Sequence, residues 1–236
     1  LQVALETWLP SFISLGLTPD LPDGIIKDFE DEKSKPVPIV FARYEVGSSF
    51  LVNFWENLGI VILASMLWLI LWVIGLGLKG NTGRQQSKAY NWIQKCHEYV
   101  QNFLFSALYG VYGDLIFFAI IEYRTYDSGF SIALISLILS ILLIIVMALH
   151  ITFHIRLLIQ YQTIKKSKPK KSNNNDALEE FTNKHQKSKV LFEDFKDYSL
   201  SPQLFLVFLS TRDILLSLIL TTMFEHPLVQ TIFFLI

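Results

Sequence analysis

Asp114, Arg212 and Asp213 are the residues whose type and place could do chemistry, because each is charged inside a stretch that is otherwise apolar. A charged side chain at bilayer depth costs about 2.5 to 3.5 kcal/mol on insertion scales, so it persists where a partner or a water-filled path offsets that cost. Counted from the basic loops, Asp114 lies about twelve residues into its stretch and Arg212 about eight into its own, depths that differ by about 6 Å and fall within an arginine's reach. This spacing predicts an ion pair between Arg212 and Asp114, with Asp213 as competitor or third member. The cluster is either a static pair that fixes how two helices pack or an element that gates or couples an ion.

Other chemistry-bearing residues are sparser. His150 and His154, at i and i+4, have the spacing that lets two imidazoles reach one metal ion, but no carboxylate or cysteine stands beside them at that spacing, so no metal and no cofactor is expected. Arg156 reads as a snorkelling anchor. Cys96 and His97 adjoin in sequence, and no nucleophile elbow, phosphate loop or metalloprotease signature accompanies them. The expectation is a protein that is not an enzyme. Glu56, Glu225 and His226 fall at the outer ends of apolar stretches, where they read as solvated groups or as a vestibule that attracts cations. Ser106, Gly110 and Gly113, at i, i+4 and i+7, make a stripe of small residues where another helix can come close, and Asp114 follows on the same face.

What must position these residues is a set of long apolar segments. Residues 58–78, LGIVILASMLWLILWVIGLGL, hold no charge, amide or proline. A helix of that length rises about 31 Å and matches the roughly 30 Å hydrocarbon core of a bilayer. A helix apolar on every face has no side to show to water. Hydrophobic residues make up 52% of the chain and charged ones 17%, and the charges are gathered into loops. The net charge of −1 therefore gives no reason to expect nucleic acid as a partner. With one cysteine there is no disulfide framework.

The pattern predicts an all-α fold, a polytopic helical membrane bundle with four complete transmembrane helices and the start of a fifth. Residues 1–50 read as an extracellular, lumenal or interfacial segment, 51–79 as the first span and 80–101 as a basic cytoplasmic loop. The second span is 102–121, followed by an outer turn over 122–129. Residues 130–162 form a third span with a cytoplasmic extension, and 163–201 a Lys- and Asn-rich cytoplasmic loop in which Leu191, Phe195 and Tyr198 space as a short surface helix. Residues 202–224 are the fourth span and 228–236 begin the fifth. Basic residues dominate both long loops, which places them inside and the N-terminal portion outside. The expected setting is the plasma membrane or a secretory-pathway membrane, with the lipid bilayer and other membrane helices or subunits as partners. The chain starts at Leu1 and ends within TIFFLI, which suggests a segment of something longer.

The stretches NFLFSALYGVYGDLIFFAIIEYRT and FEDFKDYSLSPQLFLVFLSTRDILLSLILTTMFEHPLVQTI resemble the C-terminal multipass region of large ciliate-type membrane proteins with cysteine-rich, growth-factor-receptor-like repeats. More distantly they are similar to the TRP-like and polycystin-like channel superfamily. The resemblance covers residues 50 to 236 by hydropathy and loop order. It implies a channel-like or receptor-like helical bundle, with extracellular repeats ahead of Leu1 and any channel pore helices beyond Ile236. A non-conducting anchoring subunit of a larger assembly is the alternative.

Overall fold

The structure, a computed structural model, describes residues 21–31, 36–44, 46–81, 88–126, 132–166, 175–185, 188, 191 and 203–235. Every regular element among them is helical: α1 (Asp23–Asp31), α2 (Ile39–Ala42), α3 (Phe50–Asn81), α4 (Lys88–Thr125), α5 (Ile132–Lys166), α6 (Asn175–Lys184), α7 (Phe205–Thr222) and α8 (Pro227–Leu235). Four of these, α3, α4, α5 and α7, are long and apolar enough to cross a membrane. The chain is thus an all-α polytopic bundle, and α8 supplies the short apolar start of a further helix.

Several boundaries differ from the sequence reading. Residues 88–101, read as loop, are helical and run without interruption into the second span as one 38-residue helix. The reason is local: no proline interrupts residues 88–125, and Lys88, Gln94, Lys95 and Glu98 in its first turns are good helix formers. The same helix continues through Glu122 to Thr125, which shortens the outer turn. A ten-residue helix, α6, forms within the loop read over 163–201. At 1.5 Å per residue, α4 measures about 57 Å against a hydrocarbon core of about 30 Å, whereas α7, at 18 residues, is about 27 Å and only just long enough.

The chain forms two compact units. The first comprises Leu1–Ile60, Tyr109–Ala148 and Leu209–Ile236. Its apolar centre is aromatic: Phe41 sets its ring edge-on against Phe117 at 5.4 Å and Phe224 at 5.3 Å, and Phe50 stacks on Phe54 at 5.0 Å. Each arrangement suits the aromatic quadrupole. Tyr112, Leu115 and Ile121 are buried in the same unit.

The second unit comprises Val61–Leu108 and Leu149–Phe208. Here α3 and α4 run side by side, with the Trp68 indole donating to Gln101 Oε1 at 3.3 Å and its ring 5.1 Å from that of His97. A Cβ on Gly75 would meet the Gln94 side chain at 3.1 Å, so the helices are close there as well. The extension of α5 beyond His150 is covered by other parts of this unit: Tyr161 contacts the Phe181 ring at 6.0 Å, and Gln162 donates to Gln203 at 2.7 Å.

Candidate functional site

The first unit collects the intramembrane polar residues into a line across three helices. The Asn57 amide, from α3, donates to Asp114 Oδ2 of α4 over a long 3.4 Å. Asp114 in turn lies within electrostatic reach of the Asp213 carboxylate on α7. Arg212 closes the line by donating from Nε at 3.0 Å and Nη2 at 2.8 Å, both to Asp213 Oδ1. The predicted three members are thus neighbours, but the predicted pairing is not the one formed.

Arg212 bonds to Asp213 and not to Asp114, and the cause lies at Gly113. A Cβ on Gly113 would sit 3.3 Å from Asp213 Cβ and 3.5 Å from Ser217 Oγ, so α4 and α7 approach closely at this point. That approach turns Asp213 toward α4. Its neighbour Arg212, about 100° further round the helix, is carried outward, and its side chain is 58% exposed against 35% for Asp213.

The small-residue stripe is corrected in the same way. Gly113 serves as a close-packing position, but Ser106 and Gly110 are exposed. Two crossing helices touch most tightly around one point, which here is Gly113.

The inward face of α7 also carries hydroxyls. Ser210, Ser217 and Thr221 are buried, and Thr221 donates back to the Ser217 carbonyl at 2.6 Å, which satisfies the hydroxyl within the helix.

A second polar group lies where the chain enters α3, and the sequence reading missed it. Glu122 is fully buried, and its Oε2 accepts from the Phe50 N–H at 2.6 Å and from the Ser136 hydroxyl at 2.9 Å. Ser136 Oγ also accepts the Leu51 N–H at 3.0 Å and lies 3.2 Å from Ser49 Oγ. The Thr125 hydroxyl reaches the Ser48 carbonyl at 3.0 Å, and the Asn53 amide closes back on the Gly47 and Ser49 carbonyls at 2.8 and 2.7 Å. The first N–H groups of a helix have no partner within it; here α4 and α5 supply acceptors from outside. The signal available in the sequence was the Ser48-Ser49 pair ahead of an apolar run, a helix N-cap type.

The remaining candidates are placed apart. Glu225 is paired with Arg124 at 3.3 Å, and the Arg124 guanidinium also donates to the Thr221 carbonyl and lies 4.7 Å over the Phe224 ring. Glu56 and His226 are exposed. His150 stacks on Phe105 at 5.0 Å, while His154 donates from Nε2 to the Leu191 carbonyl at 2.8 Å. Among the described residues no group of three or more His, Cys, Asp or Glu is arranged to hold a metal ion. Leu191, the first residue of the expected surface helix, is buried. Phe195 and Tyr198 lie outside the described residues.

No protein-family model, curated protein or solved structure matches the chain.

Proposed function

We propose that this chain is a docking module: a non-conducting, four-span anchor that works inside a larger membrane assembly and meets a neighbour through α7. The observation that carries this reading is the exposure of Arg212, more than half of whose side chain is open at the eighth position of an 18-residue apolar helix. At that depth a charge facing lipid costs about 2.5 to 3.5 kcal/mol, and contact with a further protein surface offsets it. The close approach of α7 to α4 at Gly113 and the local pairing of Asp213 with Arg212 also suit an anchor. In this reading both basic loops lie inside, and the resemblance to the membrane regions of ciliate-type repeat proteins fits a bundle that holds an external domain.

A channel-like or receptor-like role is the second reading, favoured by two carboxylates, Asp114 and Asp213, brought from different helices into mutual reach. Ion-flux recording from the full chain in liposomes, with the mass of the complex extracted from native membranes, separates the two. The docking reading predicts flux at the level of empty liposomes and a complex heavier than one chain. A flux abolished by Asp114→Asn would replace docking by conduction.

A further inference from the structure

We infer that the exposed face of α7 is a self-association surface, and that its occupant is the same face of a second copy of this chain. The inference rests on the docking reading above and names its partner. Thr211, Arg212, Leu215, Leu218 and Thr222 are exposed on this helix, while Ser210, Ser217 and Thr221 are buried on a separate, inward face. Thr211, Leu215, Leu218 and Thr222 step by four, three and four residues. Steps of three and four residues keep a seam facing a second, nearly parallel helix.

The polar groups on this face are arranged to suit a copy of itself. Thr211 and Arg212 are consecutive, so they lie about 100° apart around the helix, one on each flank of the line through Leu215 and Thr222. Two copies inserted in the same direction are related by a two-fold axis along the helices. That operation sets each Arg212 opposite the other copy's Thr211, within one residue's rise in depth. Arg212 directs both of its bonds to Asp213 Oδ1, which leaves further guanidinium N–H groups to donate. A threonine hydroxyl accepts such a bond without adding charge, so the Arg212–Asp213 pair stays neutral in the contact. A partner helix bearing an acid would instead add a net negative charge to an apolar setting. Self-complementarity of one patch is the condition for a closed two-fold contact.

The test uses the full chain in lipid vesicles, with Cys96→Ser as background. Oxidation should link Leu215→Cys chains into dimers and leave Ile141→Cys chains, equally exposed on α5, as monomers. Energy transfer between labelled copies should report a dimer, and Thr211→Val should raise its dissociation constant about fivefold, the loss of one hydrogen bond. Equal cross-linking at Leu215 and Ile141, or energy transfer unchanged by Thr211→Val, would overturn the proposal. Monomers in vesicles together with a heavier native complex would retire the second copy while leaving the docking reading in place. Monomers in both would remove both.

Discussion

Glu122 is the side chain on which most of the first unit's polar order converges, since one carboxyl oxygen receives both the first N–H of α3 and the Ser136 hydroxyl of α5. Removing it strands buried donors, each costing about 1 to 3 kcal/mol. Glu122→Ala should therefore lower unfolding stability in detergent or lipid by about 3 kcal/mol, and Glu122→Gln, which keeps an acceptor, by about 1 kcal/mol. Equal and small losses would show that the network does not hold the entry to α3. Gly113 gives a second measurement at this scale. Gly113→Leu must part α4 from α7 and should cost about 1 to 3 kcal/mol, whereas Gly77→Leu enters open space and should be neutral or slightly stabilising.

These residues also mark where sequence reasoning stops. That Asp114, Arg212 and Asp213 would be neighbours was legible, because charges in apolar tracts have few places to go. Which acid Arg212 takes was not, since that depends on how α7 is rotated by the close approach at Gly113. In the sequence Glu122 reads as the first residue of a turn. Its burial depends on Ser49 and Ser136, distant in sequence, and no local pattern announces that.

At the scale of elements, α7 turns Ser210, Ser217 and Thr221 inward and the large apolar Leu215 and Leu218 outward, the reverse of a water-soluble helix. Its outward face is what a lipid or a second helix contacts, and its inward face is what permits close packing. The extension of α5 shows a different device. His154 donates to the backbone of Leu191 and so ties a segment far along the chain to this helix. His154→Phe removes the donor, so maleimide labelling of Leu191→Cys, in the Cys96→Ser background, should speed up several-fold. An unchanged rate would mean that apolar contact alone holds Leu191. In the sequence the histidine partner of Leu191 reads only as an interfacial residue.

At the scale of the whole molecule, the number of spans was legible because a bilayer selects residues one by one, over about twenty positions at a time. The lengths of the helices were not, because α4 continues beyond any apolar tract on helix propensity and packing alone. The exposed side chains of α3 and α5 include Met66, Leu67, Ile141 and Leu142, none of which would stand open in water at such density. Lipid as their solvent is the claim on which the rest depends. Spin labels placed by cysteine substitution at Met66, Ile141 and Leu218 in vesicle-bound chain, in the Cys96→Ser background, test it by comparing collisions with oxygen, which partitions into lipid, and with a water-soluble nickel chelate. The account predicts frequent oxygen and rare chelate collisions at all three positions. Chelate access there equal to that at exposed Tyr44 would contradict it.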